Sequence, residues 1–577
     1  MNIVLTAINA KYIHSNPALR NFMSYAADCK EHLQLLEYTI NHSADRILEG
    51  IFRAKPDVLC FSCYIWNISL VRNLICEIHK LLPETPIWLG GPEVSFEAAS
   101  FLEQHPQVTG IMCGEGESTF HLLAQHYIYH HPQSLLDIPG LVFRQNDKLH
   151  KTEANTTLDM DQLPFCYDSM EDLSHRIIYY ESSRGCPFRC SYCLSSLEKS
   201  LRFRNLELVK RELSFFVEQG VPQVKFVDRT FNCNHAHALE IWKHLRDMDR
   251  GITNFHFEIS ADLLTDEELA FLETLRPGLV QFEIGVQSTN PATITEIHRQ
   301  MNLSRLKEVV TSIRSWRNIH MHLDLIAGLP FEDYTTFSRS FDEIFSLYPS
   351  QLQLGFLKVL KGSYMYEHAA EYDLTWHSSA PYEVLSTRWL SYDDILRIKR
   401  VEEMLEVYYN SWQYSLTIRL LLCVYPSAFS LFQRLGDYYD RHQLFDCKHS
   451  RLARCEILLS FLEEEIQTNT SLALSDTLLP MFRESLVYDL YARENCKKRP
   501  DFACDLADYK QQLRMLDIER KGSLRHIEVF HYPFVCSDAD MIHELPSASV
   551  EPLFYRFNYE QRDPLSYQAA IEHVILT

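Results

Sequence analysis

The sequence lacks any apolar run of about 18 to 20 residues, the length that a membrane-spanning helix needs. It also lacks an excess of positive charge, since 55 Lys and Arg face 77 Asp and Glu and give a formal charge of -22. That balance disfavours nucleic acid or an anionic membrane as a partner. No basic segment precedes the first apolar stretch, so we expect no signal peptide, and the 16 cysteines lack an extracellular pattern. We therefore expect a soluble, cytoplasmic protein whose partner is a small molecule or a protein.

Three cysteines lie close together in the run RGCPFRCSYC at 184–193. Cys186, Cys190 and Cys193 have C-x3-C-x2-C spacing on one short loop, which Gly185 helps to bend. Three thiolates at this spacing can hold three irons of a 4Fe-4S cluster and leave the fourth iron without a protein ligand. A zinc site would need a fourth Cys or His close behind, and none follows. Buried structural thiols remain an alternative, whereas a disulfide would need an oxidising compartment.

The first segment, residues 1–134, alternates five short apolar runs with five amphipathic stretches. This alternation predicts a doubly wound parallel sheet with helices on both faces and a ligand at the carboxyl ends of the strands. Glycines in the loops at those ends let backbone approach a bulky ligand, and polar side chains there can donate or accept hydrogen bonds. The candidate residues are Asn9, Ser62, Gly90, Gly91, Gly114 and Glu117. Glycines after strands also serve plain turns, and that alternative stays open.

Three further segments follow along the chain. Residues 135–171 contain several prolines and a hairpin pattern around Asn146 and Asp147, which predicts a connector. Residues 172–372 show six apolar strands alternating with helices, which predicts a partial (βα)6 barrel with its chemistry at the carboxyl ends of the strands. The cysteine loop directly follows the first of these strands. Residues 373–577 change to long amphipathic helices and predict a mainly α-helical domain.

The cysteine loop resembles the signature loop of the radical S-adenosylmethionine (SAM) enzymes, including the aromatic Tyr192 before the third cysteine. In that family SAM chelates the open iron, and the reduced cluster splits SAM into methionine and a 5'-deoxyadenosyl radical. The resemblance implies a 4Fe-4S cluster and SAM as cofactors, with Cys186, Cys190 and Cys193 as cluster ligands and catalytic residues. It places Tyr192 near the adenine and implies an electron donor such as a flavodoxin or a ferredoxin.

Later barrel strands resemble, in the same order, the strands that hold SAM in oxygen-independent coproporphyrinogen oxidases. The matching runs are FEISADLL, IGVQS, HRQM and DLIAGLP. By this resemblance Glu258 meets the ribose, Arg299 meets the SAM carboxylate, and Gln287 and Asp324 line the pocket. Carboxylates, an amide and one arginine suit ribose hydroxyls, a sulfonium and a carboxylate. Asp228 is a further candidate, and each residue has a structural alternative as a helix cap or an ion-pair partner.

The first segment, with its GGPE and GEGE loops, resembles the flavodoxin-like cobalamin-binding domain in front of many radical SAM cores. Cobalamin is therefore the implied second cofactor. The D-x-H-x-x-G motif, by which some cobalamin domains supply a histidine to cobalt, is absent, and His14 is not in that context. We expect the lower face of the cobalamin to be free of a histidine ligand. The whole layout resembles a group of radical SAM proteins with a poorly characterised C-terminal domain.

The resemblance implies a cobalamin-dependent methyltransferase that acts on an unactivated carbon. One SAM would methylate cobalamin, and a second would yield the radical that removes a substrate hydrogen. Alternatives are a cobalamin-assisted cyclisation or rearrangement, a sensor or scaffold without turnover, and a transfer RNA methylthiotransferase with a second cluster on Cys60, Cys63 and Cys113. The acidic charge and the opposite parity of Cys60 and Cys63 along a strand disfavour the last of these.

Overall fold

The chain folds into two α/β units and a mainly helical region, as the sequence predicts. The computed structural model describes residues 1–577 except 168–169, 171–172, 174, 199, 470–474, 518–523, 535–541, 543 and 576–577. The predicted boundary between connector and barrel, at 171 and 172, lies outside the described residues. None of the described helices is both long enough and apolar enough to cross a bilayer.

The first unit is a seven-stranded sheet with helices on both faces. Its strands are β1 (Ile3–Asn9), β2 (Leu33–Thr39), β3 (Val58–Ser62), β4 (Ile87–Gly90), β5 (Gly110–Met112), β6 (Leu141–Gln145) and β7 (Lys148–Lys151). Its helices are α1 (Pro17–Tyr25), α2 (Ala44–Ala54), α3 (Ile68–Leu81), α4 (Pro92–Ser95), α5 (Ala98–Gln104) and α6 (Glu117–Tyr129). The strand order is β2-β1-β3-β4-β5-β6-β7, and β1 to β5 are parallel. The order of the parallel strands is that of a flavodoxin-like sheet.

The central strands of this sheet are apolar on both faces, because helices cover both sides. Every residue of β1 and β3 is buried. Val4 and Cys63 belong to the apolar core on one side of the sheet, and Leu5 and Cys60 belong to the core on the other side. Cys60 and Cys63 therefore lie on opposite faces, as their parity predicts.

The predicted hairpin is part of this sheet rather than a free connector. Strand β6 pairs antiparallel with β5, and Gly110 lies opposite Phe143. The turn residues Asn146 and Asp147 have φ of 50° and 59°, the left-handed conformation that a two-residue hairpin turn requires. Phe143 is buried against the sheet, which explains why the hairpin joins it. The pattern of strands along the sequence did not predict this pairing.

The second unit is the partial barrel, and its six-stranded parallel sheet is confirmed. Its strands are β8 (Ile178–Tyr180), β9 (Ser183–Arg184), β10 (Arg202–Phe203), β11 (Gln223–Phe226), β12 (Asn254–Ile259), β13 (Val280–Gln287), β14 (His320–Ala327) and β15 (Gln351–Phe356). Its helices are α7 (Leu206–Glu218), α8 (His235–Met248), α9 (Asp266–Leu272), α10 (Pro291–Glu296), α11 (Leu303–Trp316), α12 (Tyr334–Phe345) and α13 (Tyr364–Glu367). The order is β15-β14-β13-β12-β11-β8, while β9 and β10 form a separate short hairpin.

Barrel strands alternate between apolar residues that pack under the helices and polar residues on the inner face. In β13 the buried Phe282 and Ile284 alternate with the less buried Glu283, Gly285 and Gln287. A register shift between Gly285 and Gln287 interrupts pairing with β14, and Gln287 has φ of 74°. Such a bulge redirects a side chain at the end of a strand, which positions Gln287 for the site described below.

The C-terminal region is mainly helical, as predicted, but it ends in a small antiparallel sheet. Its helices are α14 (Tyr392–Leu405), α15 (Ser415–Leu422), α16 (Ala428–Arg441), α17 (Arg451–Thr468), α18 (Leu479–Arg493) and α19 (Lys510–Asp517). Its strands are β16 (Thr375–Trp376), β17 (Val384–Ser386), β18 (Arg525–Phe530), β19 (Leu553–Arg562) and β20 (Ala569–Val574). The runs IEVFHYPF and LFYRFNYE supply β18 and β19, because their alternating apolar residues pack one face of the sheet against helix α18.

Candidate functional site

The cysteine loop leaves the β9–β10 hairpin and is fixed at several points. Gly185 has φ of 94°, and a Cβ there would collide with the carbonyl oxygen of Ser200, so the bend requires glycine. The Ser191 N–H donates to the Ile297 carbonyl at 3.0 Å, and the Met365 N–H donates to the Ser191 carbonyl at 3.0 Å. These bonds join the loop to the barrel on two sides.

One of the three cysteines of this loop lies beside a positive side chain. Cys190 is buried, whereas Cys186 and Cys193 are half-buried. Burial raises the pKa of Cys190, and the Arg299 guanidinium beside it acts in the opposite direction. Arg299 Nη1 lies 3.9 Å from Cys190 Sγ and 3.4 Å from Tyr192 Oη. The donor set and the adjacent positive charge fit an iron-sulfur cluster.

A cavity of about 130 Å³, here called the smaller cavity, opens beside the loop at the carboxyl ends of the barrel strands. Its lining brings together the four residues of the later barrel strands that are predicted to hold SAM, Glu258, Gln287, Arg299 and Asp324, but it does not include Tyr192. Gln287 Oε1 and Arg299 Nε are buried and have no hydrogen-bond partner among the described residues. Buried polar atoms without partners are uncommon and fit a polar ligand.

Two carboxyl groups of the smaller cavity have perturbed acidities. Burial raises the pKa of Glu258 to about 7, with Arg229 opposing the shift and Glu283 adding to it. Burial, with the negative charges of Glu283 and Glu258, raises the pKa of Asp324 well above its ordinary value. A ligand that brings hydroxyl donors or positive charge would offset this cost, and ribose and sulfonium groups do so.

Asp228 has a positioning role rather than a place in the lining. Its carboxylate accepts hydrogen bonds from Ser182 N–H at 2.9 Å, Ser182 Oγ at 2.6 Å and Ser183 Oγ at 2.7 Å. These bonds fix the turn from β8 to β9 just before the cysteine loop. The sequence did not single out Arg229 and Thr230, which do line the smaller cavity and follow Asp228 directly.

A cavity of about 600 Å³, here called the larger cavity, lies between the carboxyl ends of the first sheet and the barrel. Among the predicted residues it is lined by Ser62, Gly90, Gly91, Gly114 and Glu117. Gly91 and Gly114 have positive φ. A Cβ at Gly114 would meet nothing within 4 Å, so this backbone borders open space. The lining therefore fits a bulky ligand that contacts backbone.

The barrel and the connector complete the larger cavity. The barrel supplies Tyr179, Tyr180, Glu181 and Arg184, and the connector supplies 163–167. The sequence did not indicate that these connector residues line a ligand cavity, because they follow no predicted strand. Arg184 and Leu194, which flank the cysteine loop, line the larger cavity, whereas Phe188 within the loop lines the smaller one. The loop thus borders both cavities.

Asn9 does not line the larger cavity, and Ser62 is already engaged by protein. Asn9 Nδ2 donates to the His14 carbonyl at 3.1 Å, and Asn16 Nδ2 donates to Ser62 Oγ at 3.2 Å. His14 Nδ1 lies 2.6 Å from Tyr179 Oη, and burial lowers the pKa of this histidine. These contacts hold the loop after β1 against the barrel, so Asn9 and His14 have structural roles here.

The two units are joined by a cluster of charges around Arg184. Its guanidinium lies 2.5 Å from Glu117, 2.9 Å from Glu181 and 3.6 Å from Glu115. Burial lowers the pKa of Arg184, but Glu181 and Glu117 outweigh that effect and raise it. Glu115 also pairs with Arg202. The GEGE loop of the first unit is thereby held directly against the start of the cysteine loop.

Comparison with known families places this arrangement in a class. The family model of the B12 binding domain matches residues 3–124, and that of the radical SAM superfamily matches residues 180–344. A third model, described as a protein of unknown function (DUF4080), matches residues 370–532. The chain therefore contains a region that matches the radical SAM superfamily. That region follows one that matches the B12 binding domain and precedes one that matches DUF4080.

Two curated relatives are similar to about half of the chain. The 2-(S-pantetheinyl)-carbapenam-3-carboxylate methyltransferase of Streptantibioticus cattleyicolor is 27% identical over 307 residues, covering 49% of this chain and 44% of that protein. The cobalamin-dependent radical SAM methyltransferase TokK of Streptomyces tokunonensis is 26% identical over 322 residues, covering 52% and 45%. The chain thus spans less than half the length of these relatives.

Solved structures share the fold. TsrM from Kitasatospora setae, a radical SAM methyltransferase, has a TM-score of 0.54 at 16% identity, covering 65% of this chain and 78% of that one. OxsB, a cobalamin-dependent SAM radical enzyme solved with aqua-cobalamin, has a TM-score of 0.50 at 14% identity, covering 90% and 81%. The second likeness extends through most of the C-terminal region.

The Arg184 cluster yields a prediction about stability. Replacing Arg184 with Gln leaves buried carboxylates without their counter-charge and should cost on the order of 3 to 5 kcal/mol. Burial already raises the pKa of Glu181 to about 7, with Arg184 opposing, and the substitution removes that opposition. A folded-state pKa above the unfolded value makes stability fall as pH rises toward it. Thermal unfolding should therefore show a larger deficit at pH 8 than at pH 6.

The control is Arg46→Gln, which removes an exposed pair with Glu49 at 3.5 Å and should shift the midpoint little at either pH. An Arg184→Gln protein with an unchanged midpoint at both pH values would show that the charge cluster does not hold the units together.

Proposed function

We propose that this chain is a radical SAM enzyme that uses a 4Fe-4S cluster, SAM and cobalamin to methylate an unactivated carbon. The observation that carries the proposal is that the cysteine loop borders both cavities, so a cluster held on it would adjoin two candidate ligand sites. When bound, a reduced cluster with SAM supplies a 5'-deoxyadenosyl radical, and cobalamin supplies a methyl carrier. The family matches and the methyltransferase names of the relatives support the same assignment.

The position of each residue indicates which cofactor it would contact. Cys186, Cys190 and Cys193 would hold the cluster, and Tyr192 would lie against the adenine. Arg299 lies beside Cys190, and its buried Nε has no hydrogen-bond partner among the described residues. Arg299 would therefore pair with the SAM carboxylate. Glu258, Gln287 and Asp324 line the smaller cavity, where their oxygens would accept from ribose hydroxyls and attract the sulfonium.

The residues of the larger cavity would hold cobalamin through backbone contact and shape. Gly90, Gly91 and Gly114 would leave room for the corrin, while Tyr179 and Tyr180 would supply apolar surface from the barrel. No histidine lies among the described lining residues, so none of them offers cobalt an imidazole. The Glu117–Arg184 pair would close the cavity beside the cysteine loop and limit entry of water.

An external electron donor, such as a flavodoxin or a ferredoxin, would reduce the cluster. The reducing conditions that the cluster needs are those of the cytoplasm. The substrate would be a small molecule or a protein segment, and its identity needs a direct search.

A second candidate keeps the cofactors and changes the outcome to a cyclisation without methyl transfer. It is favoured by similarity to the anaerobic magnesium-protoporphyrin IX monomethyl ester cyclase of Cereibacter sphaeroides, which is 23% identical over 314 residues and covers 52% of this chain and 51% of that protein.

Mass spectrometry of products formed with methyl-labelled SAM separates methylation from cyclisation. Label in the product supports methylation, and label confined to methionine supports the second candidate. If a cluster-loaded, reduced sample cleaves no SAM, both fail in favour of a sensor or scaffold.

Cys190→Ala should abolish the cluster and SAM cleavage while leaving cobalamin bound, because the larger cavity does not include Cys190. Iron per chain, the corrinoid absorption spectrum and 5'-deoxyadenosine formation are measured on anaerobically reconstituted protein. The matched control is Cys233→Ala, since Cys233 lies near Cys186 but outside the loop spacing. Full iron content in Cys190→Ala, or its loss in Cys233→Ala, would contradict the ligand assignment.

Arg299→Gln should weaken SAM binding about tenfold or more, since a charge-assisted hydrogen bond contributes about 1.5 to 3 kcal/mol. Anaerobic titration calorimetry with SAM measures the affinity, and iron content checks that the cluster remains. Arg305→Gln is the control, because Arg305 donates to Asp266 at 2.7 Å on the surface. Equal SAM affinities in the two variants would refute the role given to Arg299.

Gly90→Leu should lower cobalamin occupancy strongly, because Gly90 lines the larger cavity and a Cβ there lies 3.7 Å from Met112, another lining residue. Gly90 does not have the left-handed φ that would add backbone strain. Gly90→Ala adds only one carbon and should retain most of the cobalamin. Cobalt per chain, measured beside iron, tests this. Equal cobalt in both variants would place cobalamin elsewhere.

A further inference from the structure

A buried carboxyl group, that of Glu332, lies in the loop between strand β14 and helix α12, outside both candidate cofactor cavities. The residue is fully buried. Its Oε1 accepts hydrogen bonds from Ser288 Oγ at 2.7 Å and from Ser340 Oγ at 2.8 Å. Ser288 directly follows β13, and Ser340 belongs to α12. One carboxyl oxygen therefore joins three parts of the barrel.

The same two hydroxyl groups also bind the backbone of the segment that follows β13. Ser340 Oγ accepts from Thr289 N–H at 3.2 Å, and Ser288 Oγ accepts from Asn290 N–H at 3.0 Å. Each hydroxyl thus donates its single hydrogen to Glu332 and accepts from a main-chain N–H. This pattern requires an acceptor at position 332, because a buried hydroxyl without an acceptor leaves its hydrogen unpaired.

Gln287, one of the residues proposed to hold SAM, directly precedes this bound segment. Its φ of 74° is a left-handed conformation that costs free energy in a residue other than glycine. The register shift between Gly285 and Gln287 interrupts pairing with β14 at the same place. The hydrogen bonds to Glu332 hold the chain immediately after this bulge. They therefore help to keep Gln287 in the lining of the smaller cavity.

Arg299, the proposed partner of the SAM carboxylate, lies at the far end of the same segment. Its N–H donates to the carbonyl of Ile294 in helix α10 at 3.1 Å. Helix α10 is bound to the loop that carries Glu332, because Thr293 Oγ1 donates to the Pro330 carbonyl at 2.8 Å. The loop after β14 therefore holds the segment that separates the two proposed SAM contacts.

The second oxygen of Glu332 makes the carboxyl group costly at this position. Oε2 is buried and has no hydrogen-bond partner among the described residues. Burial raises the pKa of Glu332 to about 7, while Ser288 and Ser340 oppose the shift and Asp333 adds to it. Burial of a polar atom without a partner is unfavourable, and a leucine would avoid that cost. The carboxyl group therefore indicates a role other than stability.

We propose that Glu332 is a positioning residue of the smaller cavity. Through two serine hydroxyls it fixes the segment from Gln287 to Arg299, so that both ends of this segment reach SAM. The inference rests on the function proposed above, because that function assigns SAM to this cavity. Glu332 contacts neither cofactor and acts only through the segment. Its removal should therefore weaken SAM binding and leave the cluster ligands in place.

The test compares Glu332→Leu with Glu332→Gln in the full, anaerobically cluster-loaded chain. Leucine fills much of the same volume without an acceptor, so SAM affinity should fall about tenfold. Glutamine keeps a carbonyl acceptor for the two hydroxyls, so affinity should stay within about threefold of the unaltered protein. Titration calorimetry with SAM measures the affinity, and iron per chain checks the cluster. Glu343→Leu on α12 is the control, since Glu343 pairs with Lys307 outside this network.

A milder pair of variants covers the case in which Glu332→Leu does not fold. Ser340→Ala removes one of the two hydroxyls and should weaken SAM binding about fivefold. Its matched control is Ser338→Ala on the same helix, because Ser338 Oγ donates to the Thr335 carbonyl at 2.8 Å at an exposed position. That control should leave SAM affinity within about twofold. Equal affinities in the two serine variants would contradict the proposal.

Hydrogen exchange followed by mass spectrometry gives a readout on the unaltered protein. The Thr289 and Asn290 amides should be protected before SAM is added, because both are already bonded. Protection that arises only with SAM would overturn the proposal, as would equal losses of affinity in Glu332→Leu and Glu332→Gln. If the unaltered, cluster-loaded protein binds no SAM, the proposed function fails and this inference fails with it. If every variant binds SAM as the unaltered protein does, only the role of Glu332 fails.

Discussion

The ion-pair cluster centred on Arg184 is the interaction on which the candidate site depends. Arg184 ends the β9 strand, one residue before the glycine that opens the cysteine loop, and its guanidinium reaches Glu117 of the first unit. An arginine that is mostly enclosed among carboxylates is stable only when its partners stay in place, since removal of either sign leaves an uncompensated charge. These ion pairs therefore fix the position of the loop relative to the first sheet. The larger cavity lies between the first sheet and the barrel.

The smaller cavity shows the opposite electrostatic condition. Glu258 and Asp324 are partly buried without enough compensating charge, so desolvation raises the pKa of both, and Gln287 and Arg299 retain polar atoms without described partners. A protein interior normally satisfies such groups, and a site that leaves them unsatisfied is arranged for a ligand. The contrast separates residues that hold the structure, such as Asp228 with its three hydrogen bonds, from the residues that we propose hold SAM.

Much of this organisation followed from sequence pattern. The βα alternation predicted both parallel sheets, and the position of the cysteines after the first barrel strand predicted which end carries the chemistry. The resemblance of later strands to a SAM pocket named four residues that the fold does bring to one cavity. The sequence pattern did not predict features that depend on strand pairing or contact between residues far apart in the chain. The β6–β7 hairpin joins the first sheet, the terminal apolar runs form a sheet, and residues 163–167 of the connector line the larger cavity.

The sequence by itself determined the classes of element and the chemistry of the cysteine loop, because periodicity and ligand spacing are local properties of the chain. It also predicted glycines at the carboxyl-end loops of strands β4 and β5, where we propose a ligand. Only the tertiary structure decided that Asn9 and Ser62 form hydrogen bonds with the loop after β1, and that Arg184 links two units. It alone decided that four arginines from the barrel and the C-terminal region line one cavity. Those outcomes depend on which distant residues share a surface, and charge or hydrogen-bond partners far apart in the chain leave no periodic signal.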